Sequence, residues 1–206
     1  MNVDFSYGDR ELAVVCQGKG NGVIIVYDFK DLLQRKETEI RRIEIRGETI
    51  NQASYSYLNK YIIACSDKGK MYRFDASTGE LLLSQMIHNE QPIFTFSFSK
   101  DFSMIGTASK DGTCRIINPM TFEIWQTLNK NSPVRSVFFS PLIDVGDEPR
   151  YHVFVVGGQD AKDVTTTKDK KGGFESFIFD IITGRQMAKI KGHFGPVHSV
   201  ECSPDG

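Results

Sequence analysis

The stretch Asp67-Lys68-Gly69-Lys70-Met71-Tyr72-Arg73-Phe74-Asp75-Ala76-Ser77-Thr78-Gly79 holds a turn signal, a short strand-forming run that ends in an acid, and a second turn. Its parts return along the chain. Val26-Tyr27-Asp28 and Ile178-Phe179-Asp180 end, like Arg73-Phe74-Asp75, in an aromatic residue and an acid, and Ile116-Ile117-Asn118 ends in the amide instead. The final residues of these four segments are 47, 43 and 62 residues apart. Lys110-Asp111-Gly112 repeats the first turn, with Asp111 44 residues after Asp67, and Ile182-Thr183-Gly184 repeats the second. Alternating strands precede them at 94–99 and 134–140. A period near 44 residues, with about four short strands in each unit, is the pattern of propeller blades.

The rest of the composition agrees. Fifteen Phe and seven Tyr, many Ile and Val, and 18 Gly as turn residues favour strands. The charged stretch 30–39 reads as a solvated loop, because Leu32 and Leu33 are adjacent rather than a helical turn apart. The expectation is one all-β propeller domain over 1–206, with blades at about 2–45, 50–86, 93–128 and 134–190. A further strand, Val197–Cys202, opens a fifth blade. Seven such blades need about 300 residues, so the chain reads as an internal piece two to three blades short of a ring.

Charge and hydropathy narrow the function. Lys+Arg is 25 and Asp+Glu 26, a formal net charge of −1, without the basic excess of a domain built on nucleic-acid phosphates. No apolar run approaches the roughly 18 residues of a membrane span, and no charged-then-apolar leader opens the chain. A cytoplasmic address is expected. Cys16, Cys65, Cys114 and Cys202 form no Cys-x-x-Cys cluster, so they read as reduced, mostly buried thiols and not as a metal site.

Candidate chemistry is sparse. Gly18-Lys19-Gly20-Asn21-Gly22 lacks the spacing and the following helix of a phosphate loop, and reads as a hairpin turn. The acidic run Asp144–Glu148 lacks the ordered oxygen ligands of a calcium loop and reads as part of a solvated inter-strand loop, Pro141–Arg150. His88, His152, His193 and His198 sit in no nucleophile or zinc motif. No enzyme activity, cofactor or metal is expected. The insert 161–173, with Thr165-Thr166-Thr167 and the basic run from Lys168, reads either as a solvated loop or as a contact for an acidic partner or RNA.

Lys191-Gly192-His193, followed by Ser203-Pro204-Asp205-Gly206, has the Gly-His opening of a WD40 repeat. Together with Gly157-Gly158-Gln159, Asp163-Val164-Thr165-Thr166-Thr167 and Gly173-Phe174-Glu175, it resembles subunit i of eukaryotic translation initiation factor 3, from the third blade onward. Thr107-Ala108-Ser109-Lys110-Asp111 is similar to WD40 repeats in general. The WD tryptophan is absent from every blade, replaced by Tyr27, Phe74, Ile117 and Phe179, so packing replaces the usual polar chain. Asp67, His88, Asp111, Asp163, Thr165, Thr166, Thr167 and His193 take motif or structural positions, the two histidines bonding within their blades.

The likeness implies a non-catalytic scaffold that binds subunits b and g. It would act on the small ribosomal subunit and in mRNA recruitment, with no membrane and no sequence-specific nucleic-acid contact of its own. By motif position it puts partner contacts at Asp101 and Asn118, the second without the family's charge. Asp101 reads equally well as the support of its own turn. A WD40 adaptor in receptor or kinase signalling is the rival reading, and an enzyme on a propeller scaffold a third.

Overall fold

Runs such as Val23-Ile24-Ile25-Val26 and Ile62-Ile63-Ala64-Cys65 are too short for a buried helix and rich in β-branched residues, so they pair as strands. The computed structural model describes residues 2–18, 20–140, 143–145, 148–150, 152–158 and 174–203. Among the described residues it contains four four-stranded antiparallel sheets, the first three meanders of consecutive strands and the fourth interrupted after its first strand. The first holds β1 (Asn2–Phe5), β2 (Glu11–Gln17), β3 (Gly22–Asp28) and β4 (Glu39–Ile45). The second holds β5 (Ile50–Tyr55), β6 (Tyr61–Ser66), β7 (Lys70–Asp75) and β8 (Leu81–Met86). The third holds β9 (Ile93–Phe98), β10 (Ile105–Ser109), β11 (Thr113–Ile117) and β12 (Ile124–Asn129). In the fourth, β13 (Val134–Phe139) pairs with β16 (His152–Gly157), followed by β17 (Ser176–Asp180) and β18 (Gln186–Ile190). These all-β meanders have the build of propeller blades.

Burial follows strand position. Strands β6 and β10 are buried almost throughout, whereas every residue of β18 is exposed. Middle strands covered on both faces read as continuous apolar runs, and outer strands take polar residues.

The chain divides into two compact units between Ile93 and Phe94. In the first, Val15, Ile24 and Val26 interlock with Ile50, Ala53, Ile62, Ala64, Tyr72 and Phe74 in one core. Each such side chain contributes about 1.5–3 kcal/mol by leaving water. Asn2 Oδ1 accepts from the Ala53 N–H at 3.1 Å and Asp4 Oδ2 from the Tyr55 N–H at 2.8 Å, tying β1 to β5. Gly22 permits the approach of β3, since a Cβ there would stand 2.5 Å from Ile50 Cγ1. In the second unit Cys114, Ile116 and Leu128 pack with Val137, Phe139, Val153, Val155, Phe177 and Phe179. All four cysteines are free, two of them buried and two half-buried.

Three local expectations differ from the structure. Residues 30–39 are not all loop: α1 (Phe29–Leu33) forms there, with Asp28 Oδ1 accepting from the Asp31 N–H at 3.0 Å. A helix this short buries no residue, so it needs only a cap and no amphipathic period. The loop 141–150 carries a hairpin, β14 (Ile143–Val145) with β15 (Glu148–Arg150). Residues 197–202 form no strand. Their one main-chain bond among the described residues runs from the Val197 N–H to the Gly157 carbonyl at 3.4 Å, and a strand exists only through its pairing.

Candidate partner-binding site

Strands β9 to β12 alternate in direction, and Ile105 lies opposite Ile117, so the 99–104 and 118–123 turns leave one end of the third sheet together. The first turn carries Asp101 and the second Asn118. Both side chains are partly spent on holding their own turns.

Asp101 Oδ1 accepts from Ser99 Oγ at 2.6 Å, Ser103 Oγ at 2.8 Å and the Ser103 N–H at 3.1 Å. Ser99 in turn closes the hairpin, its Oγ accepting from the Met104 N–H at 3.0 Å. Partial burial pulls the Asp101 carboxyl upward, but the bonds from Ser99 and Ser103 outweigh it and leave the pKa below the usual carboxylate value. Asp101 is therefore ionised at neutral pH. Asp101 is itself an exposed residue, so its carboxylate remains accessible at the surface.

Asn118 Oδ1 accepts from the Met120 N–H at 2.7 Å and the Thr121 N–H at 3.3 Å. Asp75 does the same in the second sheet, accepting from the N–H groups of Ser77 and Thr78 at 2.8 and 3.0 Å, and Asp180 accepts from the Thr183 N–H at 2.8 Å. The repeat-ending acid is thus the acceptor that caps the turn into the fourth strand, and an amide serves there as well as a carboxylate. Because the two N–H groups fix the orientation of the Asn118 amide, the group left for a partner is Nδ2, a donor. An arginine would pair with Asp101 and not with Asn118.

The Asp101 turn borders an open groove of about 280 Å³ lined by Phe98, Lys100, Phe138, Phe139 and residues 201–203. The Phe98 ring packs edge-on against Phe96 at 5.8 Å and tilted against Phe102 at 5.0 Å. The groove has an apolar floor of phenylalanines and carries both a cation, Lys100, and an anion, Glu201, a mixed rim that suits an amphipathic partner.

The motif residues separate by environment. Asp67 Oδ1 accepts from the Thr49 N–H at 2.9 Å and pins the chain entering β5, whereas Asp111 Oδ1 accepts from the Thr113 N–H at 2.8 Å and Oγ at 2.7 Å within its own turn. The two aspartates share a spacing and not a role. His88 is fully buried and donates its N–H to the Gly69 carbonyl at 2.9 Å. His193 is exposed in the strandless segment and makes no hydrogen bond among the described residues, because no paired strand follows it. Asp163, Thr165, Thr166 and Thr167 lie outside the described residues. Of the Gly18–Gly22 run only Lys19 lies outside them, and the turn closes through the Gly18 N–H to the Asn21 carbonyl at 2.8 Å. Among the described residues no cluster of three or more His, Cys, Asp or Glu could hold a metal, and no helix is long and apolar enough to cross a membrane.

Sequence reasoning missed Lys130. It is buried, and it donates its N–H to the Gly112 carbonyl at 3.0 Å, as His88 does to Gly69. Counting from the turn glycines, 19 residues to His88 and 18 to Lys130, would have found the substitution.

The WD domain, G-beta repeat family matches residues 79–118, a span that contains both Asp101 and Asn118. Subunit I of eukaryotic translation initiation factor 3 from Bos taurus is 35% identical over 199 residues, covering 96% of this chain and 57% of that protein. The Homo sapiens subunit I gives the same identity and coverage. The Kluyveromyces lactis subunit I is 32% identical over 216 residues, covering the whole of this chain and 60% of its own length. The chain thus spans under two thirds of the relatives it matches.

Proposed function

From a chain that carries a WD40 repeat and aligns along nearly its whole length with subunit I of eukaryotic translation initiation factor 3, we propose a non-catalytic docking scaffold within that factor. The blades present turns at fixed positions, and partners read the turns. The observation that carries the reading is the ionised, exposed Asp101 in a turn inside the matched repeat, whose neighbours Phe98 and Lys100 line the groove.

In this reading a helix of subunit b lays its apolar face on the phenylalanines and sets an arginine or lysine against Asp101 Oδ2. A charge-assisted bond of that kind is about twice as strong as a neutral one. Subunit g binds nearby, and the assembled factor acts on the small ribosomal subunit in the cytoplasm, supporting mRNA recruitment. The 161–173 insert serves either as a solvated loop or as an added contact. Support comes from the long alignment with named initiation-factor subunits and from the balanced net charge, which favours protein partners over a nucleic-acid backbone.

Co-sedimentation tests it. The chain, mixed with recombinant subunits b and g and small ribosomal subunits, is run on a sucrose gradient. Migration with the small subunit only when subunit b is present supports the scaffold role. A chain that stays at the top of the gradient with all components present contradicts it.

A further inference from the structure

The residues that join β12 to β13, Lys130-Asn131-Ser132-Pro133, bring a buried cation against a hydroxyl. Lys130 is 4% exposed, and its Nζ donates to Ser132 Oγ at 2.7 Å. The main chain fixes that meeting. The Lys130 N–H bonds the Gly112 carbonyl at 3.0 Å, Asn131 takes a left-handed φ of +60°, and its N–H bonds Asn129 Oδ1 at 2.8 Å. Asn131 is exposed and Ser132 and Pro133 are half-buried, so the connection reaches solvent.

The surroundings favour an anion at this place. Lys130 and Lys189 each lie 5.4 Å from the centre of the Phe177 ring, and Lys189 is paired with Glu175 at 2.9 Å. Lys130, Lys189 and Glu175 together carry one net positive charge. Burial lowers the Lys130 pKa to about 8, although Glu175 pulls it the other way. A phosphate opposite a lysine forms charge-assisted hydrogen bonds and orders the segment that bears it.

Ser132 is also followed by proline, the residue that proline-directed kinases require next to the serine they modify. Ser-Pro occurs three times in the chain, at 132, 140 and 203. Ser140 is buried, and Ser203 lies in the strandless segment that lines the groove beside Phe98. Ser132 joins partial exposure and a following proline to an ammonium group already on its oxygen.

We propose that Ser132 is a phosphorylation site for a proline-directed kinase and that Lys130 clamps the phosphate. The γ-phosphoryl group of ATP passes to Ser132 Oγ. The new P–O bond forms as the bond to the β-phosphate oxygen breaks, ADP leaves, and the hydroxyl proton goes to the kinase's base. Lys130 Nζ then bonds a phosphate oxygen in place of the hydroxyl. Glu175 repels the added charge but is itself held by Lys189. Modification thereby fastens the β12–β13 connection to the lysine and ring of the fourth sheet. The antiparallel order puts this connection, with the 110–112 turn, at the opposite end of the third sheet from Asp101, so the proposal does not rest on the scaffold reading.

The test treats the whole chain with ATP and two recombinant proline-directed kinases, one cyclin-dependent and one mitogen-activated, in a Ser203→Ala background. Mass spectrometry should place a phosphate on Ser132, absent in Ser132→Ala. The Tm should rise by about 2–4 °C, the shift that one charge-assisted bond gives a chain of this size. Phosphorus NMR should show the second phosphate pKa below its ordinary value of about 6 in the folded chain and at that value in the same chain unfolded in urea. Lys130→Met, phosphorylated in the same way, should lose both the Tm rise and the lowered pKa, and Lys130→Arg should keep the lowered pKa. Failure of both kinases to modify Ser132 would overturn the site. A phosphate pKa equal in the folded and unfolded chain, or unmoved by Lys130→Met, would overturn the clamp.

Discussion

Lys130 stands in the third sheet where His88 stands in the second: each donates its main-chain N–H to a turn glycine, Lys130 to Gly112 at 3.0 Å and His88 to Gly69 at 2.9 Å. The lysine Nζ bonds Ser132 Oγ at 2.7 Å and lies 5.4 Å from the Phe177 ring, which Lys189 also approaches at 5.4 Å. A cation replaces an imidazole at a buried repeat opening, and the aromatic ring and the hydroxyl accommodate it.

That placement predicts a pH dependence. Burial lowers the Lys130 pKa from 10.5 to about 8; Glu175 raises it and Lys189 lowers it further. A lysine whose folded pKa is depressed binds its proton less well in the folded state. Its contribution is most unfavourable below pH 8 and disappears above pH 10.5, so stability from this group rises with pH across that window. Urea unfolding from pH 7 to 10 should show Lys130→Met more stable than the parent at pH 7, with the difference shrinking as pH rises. A constant difference would show that Lys130 does not titrate there.

Phe74 fills the core between the first two sheets at 3% exposure, 6.1 Å from the Tyr72 ring. Phe74→Ala should cost about 3–5 kcal/mol, read by chemical denaturation. A loss below 1 kcal/mol, on the order of a surface change, would contradict this packing.

Gly69 has a φ of +76°, and a Cβ there would fall 1.8 Å from the His88 carbonyl oxygen. Gly69→Ala should therefore cost more than the about 1–2 kcal/mol of a left-handed residue alone. Gly8→Ala, with φ +86° and open space around it, is the comparison and should cost only that smaller amount.

How much of this was legible in the sequence depends on what each residue answers to. The blades were readable because a strand buried on both faces must be apolar throughout and must stop at turn residues, as in Ile105–Ser109 before Asp111-Gly112. Asn118 as the counterpart of Asp75 was readable from spacing. Its role was not, because whether an Asx side chain faces a partner or caps its own turn depends on backbone direction two residues on. The same holds for Asp67 and Asp111, alike in spacing and different in what they hold. Helix α1 escaped the pattern because a capped turn and a half needs no buried face.

The Asn118 amide predicts a specific asymmetry. Asn118→Asp keeps the acceptor that bonds Met120 and Thr121 and exchanges the outward donor for a carboxylate oxygen. The Tm should stay within a degree or two, while affinity for a basic partner segment rises several-fold. Equal affinity would show that the 118–123 turn takes no part in binding.

The most direct test of the scaffold reading is calorimetric titration of the chain with recombinant subunit b, using the parent, Asp101→Asn and Asp101→Lys. Asp101→Asn preserves the acceptor for Ser99 and Ser103, removes the charge and turns the second oxygen into an amide donor. The account predicts one-to-one binding by the parent, weakened several-fold in Asp101→Asn and at least tenfold in Asp101→Lys, with Tm unchanged in Asp101→Asn. Failure of the parent to bind, or equal affinity in all three, would contradict it.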